Sequence, residues 1–214
     1  MKKVLFQGDS ITDCYRAYDN DPFLGSGYAQ LVASELKFKY GNEYEFLNRG
    51  ISGNRSIDLL ARVKSDLINL KPDYLSILIG VNDVWHGIDC NNGVNNENFE
   101  KIYEMLIENI KSELPDTKIF LLEPFVFNYT ATENRPEEPN RWENFKEEVL
   151  QKAVISKKVA SKYGLPFIEL QDKLDALAKR IGIENVTLDG VHPVSAGHYL
   201  IAKEWIKCFE ENFR

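Results

Sequence analysis

The stretch Tyr74-Leu75-Ser76-Ile77-Leu78-Ile79, closed by Gly80-Val81-Asn82, decides the fold. Five of its first six side chains are apolar, so an extended chain here must be buried on both faces. That is the pattern of an interior strand in a parallel sheet, not of a half-wet antiparallel one. Similar short runs stand at 4–6, 44–47, 119–122 and 167–170. Longer amphipathic stretches lie between them. In 99–114, Phe99, Ile102, Tyr103, Leu106, Ile107, Ile110 and Leu114 form one helical stripe. Asn95 or Asn96 can cap its start, and Pro115 bars its continuation. Further helices are predicted near 28–40, 57–70, 142–163, 171–180 and 195–211, with Gly41 and Gly164 as stops. Strand-helix alternation of this kind implies βαβ units with right-handed crossovers and helices on both faces of the sheet.

No repeat, low-complexity tract or linker interrupts the chain, so residues 1–214 are expected to form one domain with a full-sized core. Its composition is 43% hydrophobic and 28% charged, with a formal charge of −7. Scattered basic residues on an acidic chain argue against a nucleic-acid partner, since phosphate binding needs clustered Lys and Arg. No apolar run approaches the roughly 20 residues that span a bilayer, which argues against a membrane partner. Gln7-Gly8-Asp9 interrupts the run after Met1-Lys2-Lys3 too early for an export signal, so the cytoplasm is expected. Cys14, Cys90 and Cys208 are odd in number and widely spaced, the pattern of reduced thiols and not of disulfides or a zinc site.

Three connections are long, 14–27, 84–96 and 124–141, and each follows a strand. All should therefore lie at the carboxyl edge of the sheet, where open α/β sheets bind ligands. Four islands point to the same edge: Gly8-Asp9-Ser10-Ile11, Gly50-Ile51-Ser52-Gly53-Asn54, Gly80-Val81-Asn82-Asp83 and Asp189-Gly190-Val191-His192-Pro193. A serine hydroxyl attacks well only when a base takes its proton, and histidine suits that task at neutral pH. Of His86, His192 and His198, His192 has an acid three residues earlier, Asp189, within one turn. Such a carboxylate fixes the imidazole tautomer and stabilises the imidazolium. His198 falls inside the last predicted helix and reads as a packing or surface residue. Acyl transfer also needs donors for the developing oxyanion, and the Ser10 N–H, the Gly53 N–H and the Asn82 side-chain amide could supply them.

Each island alone reads more readily as turn material than as chemistry. Asp9 and Asp83 are expected to brace their loops, with Asp9 also a candidate substrate contact. Together and in this order, the islands resemble the SGNH hydrolases, the GDSL esterase/lipase family. Their marker residues fall on Ser10 as nucleophile, Gly53 and Asn82 as oxyanion hole and His192 as base, with Asp189 as the acid. Ile11 stands where the family name has leucine. The resemblance implies a three-layer α/β/α, flavodoxin-like fold with a five-stranded parallel sheet. It also implies ester hydrolysis through an acyl-enzyme, without metal or cofactor. Within the family, residues 8–14, 48–54 and 80–85 look most like intracellular bacterial acetylxylan esterases, which implies a small acetylated-sugar substrate and allows a homo-oligomer. Tyr15, Trp85, His86, Phe125, Phe127, Tyr129 and Trp142 are the candidate sugar or acyl contacts. Two alternatives stay open. One is a thioesterase or lysophospholipase for longer acyl chains, and the other is a flavodoxin-like binding module. A nucleotide cradle is disfavoured because Gly8-Asp9-Ser10 lacks the glycine pattern such loops use.

Overall fold

Successive side chains along the buried strands enter opposite faces of the sheet, and that alternation builds the layers. The computed structural model describes residues 1–19 and 23–214. Its strands are β1 (Lys2–Gly8), β2 (Tyr44–Asn48), β3 (Tyr74–Leu78), β4 (Lys118–Leu122) and β5 (Phe167–Ile168). They pair in parallel in the order β2-β1-β3-β4-β5, the flavodoxin-like order, with Phe6 opposite both Asn48 and Ser76. Val4, Phe6, Phe46, Leu78, Phe120 and Leu122 belong to one core cluster, whereas Leu5, Leu47, Leu75, Ile77 and Leu121 belong to the other. With both faces covered, the strands read as near-continuous apolar runs.

Helices α2 (Tyr28–Tyr40), α8 (Gln171–Ile181) and α9 (Ser195–Phe213) fill the first cluster. Helices α3 (Ser56–Ala61) and α6 (Asn96–Glu113) fill the second. The long α7 (Arg141–Tyr163) gives Phe145 and Val149 to one and Ile155 and Val159 to the other. The expected three-layer α/β/α sandwich is therefore the one observed. At the centre of the first cluster Trp205 is 0% exposed, with ring centroids 5.3, 5.0 and 5.2 Å from Phe6, Phe120 and Phe209. Among the described residues, no helix is long and apolar enough to cross a membrane.

Local signals work where expected. Asn95 caps α6 by accepting from the Asn98 N–H at 2.9 Å, and Gly41 and Gly164 close α2 and α7 at φ +61° and +64°. Ser10 opens α1 (Ser10–Asp13), a single turn capped by the Asp9 carboxylate on the Ile11 N–H at 3.0 Å. Two expectations are corrected. The helix expected over 57–70 is broken into α3, α4 (Val63–Asp66) and a 3₁₀ turn at Ile68–Leu70. The break falls at Arg62, whose guanidinium turns inward to donate to the carbonyls of Gly8 and Arg49 and to Asn54. The long connection expected over 84–96 is largely helix, α5 (Val81–Cys90), which buries Val81 and Val84 and ends on a left-handed Asn91.

Trp205→Ala should cost about 3–5 kcal/mol of stability, the usual range for emptying a large aromatic site. Urea unfolding of the variant and wild type measures it, and a loss under about 1 kcal/mol would contradict this account of the core.

Candidate active site

The carboxyl ends of β1, β2 and β3 deliver three of the islands side by side, and close backbone approaches bring them into contact. A Cβ on Gly8 would lie 2.4 Å from the Leu78 carbonyl oxygen, so glycine lets α1 rise directly over the end of β3. A Cβ on Gly50 would lie 2.2 Å from the Asp13 nitrogen, so the loop after β2 can pass against α1. Gly53 sits at φ +81° in the next turn, a conformation natural to glycine. Asn82, buried in the first turn of α5, donates its amide to the Asn54 carbonyl at 3.1 Å. That bond sets the amide orientation, nitrogen toward the loop. Among the described residues, the backbone N–H groups of Ser10 and Gly53 have no hydrogen-bond partner.

The fourth island arrives from the far end of the chain. Ser10 Oγ lies 2.9 Å from His192 Nε2, and His192 Nδ1 lies 2.7 Å from Asp189 Oδ2. The second oxygen of Asp189 accepts from the backbone N–H groups of Val191 and His192 at 2.9 and 2.8 Å. Residues 127–132 buttress this loop, since Phe127 N–H donates to the Gly190 carbonyl and Ala131 N–H to that of Asp189, both at 2.8 Å. Gly190 is at φ +107°, and a Cβ there would meet Thr132 Oγ1 at 2.6 Å.

Electrostatics follow from these partners. The hydrogen bond to Asp189 holds the His192 pKa above 6.5, against the opposing pull of burial, and the charges of Asp189 and Asp9 add to it. Burial pushes Asp189 up, but the bonds from the His192 ring and from the His192 and Val191 N–H groups outweigh it and leave the carboxyl below 3.8. Burial raises Asp9 to about 7, with the Ile11 N–H opposing. His198 is driven down to about 4 by burial, and its Nδ1 accepts the Tyr28 N–H at 3.2 Å. It is a neutral packing residue, as expected.

Two cavities meet at Ser10, Ser52 and His192. The larger, about 650 Å³, is walled by Tyr15, Arg16, Tyr18, Leu188 and Pro193. The smaller, about 350 Å³, is walled by Gly53, Asn82, Trp85, His86 and Asp89. Tyr15 is 86% exposed at the rim of the first. Trp85 stands in the second, its ring 5.9 Å from that of His192 and its indole N–H on Asp89 at 2.7 Å. Other expected contacts are corrected. Phe125 is 0% exposed in the first core cluster and reaches neither cavity, because the chain after β4 turns its side chain inward. Phe127 and Trp142 border a separate cavity of about 570 Å³ against α7 and α8. Asp9 is 1% exposed and spends one carboxylate oxygen on its cap, so it cannot touch substrate. Tyr129 lines none of these three cavities. Among the described residues, no group of three or more His, Cys, Asp or Glu is placed to hold a metal ion.

Several residues that border the cavities escaped the sequence reading, Arg16, Tyr18, Asp89 and Leu188 among them, and so did the pairing of Ser52 with Asp13. Ser52 borders both cavities and gives its N–H and hydroxyl to Asp13 Oδ2 at 3.0 and 2.9 Å. Both sit within or beside the quoted islands, but nothing in their spacing says that they meet.

A polarised hydroxyl beside unpartnered N–H donors is equipment for acyl transfer. The chain belongs to the GDSL-like Lipase/Acylhydrolase family, which it matches over residues 6–200, and it is a carboxylic ester hydrolase. Among curated relatives it is 32% identical over 213 residues to the acetylxylan esterase of Geobacillus stearothermophilus, covering 96% of this chain and 93% of that one. A crystal structure of a GDSL-like protein from Parabacteroides merdae overlays it with a TM-score of 0.89 at 33% identity, covering 98% and 95% of the two chains. Axe2, the acetylxylan esterase from Geobacillus stearothermophilus, does so at 0.83 and 31%, covering 100% and 95%. Two solved forms of Axe2 are catalytic mutants, one with a serine and one with an aspartate replaced by alanine.

An NMR titration should find the His192 imidazole changing charge above pH 6.5, and Asp189→Asn should bring it down. The linkage has a definite sign. Because the folded pKa is raised, the stabilisation from this pair is complete below the unfolded value and is lost as pH rises through the folded one. A His192 titration that ignores Asp189→Asn would contradict the pairing.

Proposed function

We propose that this esterase removes acetyl groups from xylo-oligosaccharides or related acetylated sugars, through an acyl-enzyme on Ser10. The observation that carries the reading is the continuous line Ser10–His192–Asp189, 2.9 and 2.7 Å per link, with Ser10 and His192 sharing the smaller cavity with Gly53 and Asn82. Ser10 Oγ attacks the ester carbonyl carbon while His192 Nε2 takes its proton. Asp189 holds Nδ1–H, so the imidazole is the right tautomer before reaction and a stabilised imidazolium during it. The oxyanion forms against the Ser10 N–H, the Gly53 N–H and the Asn82 amide, donors already aimed before charge develops. His192 next gives that proton to the departing sugar oxygen as the acyl C–O bond breaks, releasing the sugar hydroxyl. Water, deprotonated by the same nitrogen, then releases acetate and frees Ser10.

The donors line the smaller cavity, which receives the acyl carbonyl. Tyr15, Arg16 and Tyr18 give the larger one an aromatic and polar wall suited to the sugar. The acetyl-sugar assignment draws support from the relatives, since Axe2 is described as an acetyl-xylooligosaccharide esterase. The family match over residues 6–200 supports treating residues 1–214 as one hydrolase domain.

Ser10→Ala should lose turnover of p-nitrophenyl acetate on the order of 10⁶-fold, as nucleophile loss does in another serine hydrolase. Asn82→Ala should lose ~10²–10³-fold while still forming an acyl-enzyme. Across p-nitrophenyl esters from acetyl to octanoyl, kcat/KM should fall with chain length. A rise would replace the acetyl assignment with a longer-chain acyl hydrolase. For wild type, kcat/KM should climb with pH through the His192 pKa, since the base must be neutral, placing the acid limb above 6.5.

A further inference from the structure

The turn that carries Gly53 hangs between two buried carboxylates, each gripping one serine by two donors. Before Gly53, Ser52 gives its N–H and its hydroxyl to Asp13 Oδ2 at 3.0 and 2.9 Å. After it, Ser56 gives its N–H to both oxygens of Asp83 at 3.1 and 3.0 Å, and its hydroxyl to Oδ1 at 2.5 Å. Asp13 is the last residue of α1, the turn that begins with Ser10. Asp83 follows Asn82 in the first turn of α5. One carboxylate therefore ties the Gly53 turn to the helix of the hydroxyl, and the other ties it to the helix of the amide.

We infer that Asp13–Ser52 and Asp83–Ser56 form a paired brace that positions the Ser10, Gly53 and Asn82 donors relative to one another. The inference rests on the proposed roles of those donors and adds residues to them. A carboxylate is an acceptor without donors, so it can take several donors at once: Asp13 Oδ2 holds the Tyr18 hydroxyl at 2.7 Å besides both donors of Ser52. Packing does not do this work on the exposed side of the turn. The nearest atom to a Cβ built on Gly53 is His86 Nε2, 4.0 Å away, so no side chain presses the turn into place there. The Asn54 N–H on the Ile51 carbonyl at 3.1 Å closes the turn, and Asn82 on Asn54 adds a third tie. The arrangement is costly to keep, since burial pushes Asp83 up to about 6 even with Ser56 and Lys152 opposing. A carboxylate held at such a cost is better placed to set geometry than to add stability.

All four are positioning residues, and a shift of the donors they hold should appear in the chemical step. Ser52→Ala and Ser56→Ala should each lower kcat on p-nitrophenyl acetate by roughly 10–10²-fold, the scale expected when a reacting geometry moves by about an ångström. KM should stay near wild type, and thermal unfolding should show folded proteins. Ser52→Thr keeps both donors and should restore kcat. Wild-type kcat in both alanine variants, a loss confined to KM, or a threonine variant as slow as its alanine counterpart would each overturn the brace. Should Ser56→Ala fail to fold, Ser52, which is exposed, decides the matter alone. Ser10→Ala, run alongside, separates the two failures. Surviving activity there sinks the reading of the site, whereas a dead Ser10→Ala beside unaffected serine variants sinks only the brace.

Discussion

The hydrogen bond between Asp189 and His192 is the constraint on which the rest of the site depends. It leaves Nε2 to face Ser10, and it favours the charged ring against the pull of burial. An imidazole on an unanchored loop would rotate and lose both properties. The anchoring is mostly backbone work. Asp189 is fixed by two N–H groups of its own loop, and that loop by two N–H groups of residues 127 and 131. The connection after β4, which the sequence reading offers as a substrate rim, here holds the loop of Asp189 and His192 in place.

The same economy governs the other side. Gly8, Gly50 and Gly190 each stand where a single added carbon would collide with backbone or hydroxyl atoms at 2.2–2.6 Å. The islands are glycine-rich because their backbones touch, and the functional side chains follow from that contact. The flavodoxin-like strand order makes the contact achievable, because the crossover from β2 to β3 passes β1 and leaves three strand ends adjacent at the carboxyl edge.

Much of this was legible before any coordinates. Near-continuous apolar runs gave the parallel sheet, and the Asp189-x-x-His192 spacing pointed to two side chains that the loop places 2.7 Å apart. What stayed hidden depended on distant partners. The helix over 57–70 breaks because Arg62 reaches carbonyls at Gly8 and Arg49, which no local window contains. Phe125 and Trp142 looked like Tyr15 and Trp85, aromatic residues beyond strand ends. Whether a ring faces a cavity or the core is set by the path of the loop and not by its composition. Asp13 and Ser52 sat in plain view, yet their meeting is a tertiary fact.

Ser10 and His192 are 182 positions apart, and the segment that brings them together is followed directly by α9, whose Trp205 sits among Phe6 and Phe120 of the sheet. The contact between Ser10 and His192 is therefore tied to the docking of the last helix onto the first strand. On the proposed reading of that pair, hydrolysis reports the arrival of the chain's final helix as much as the closure of its first loop.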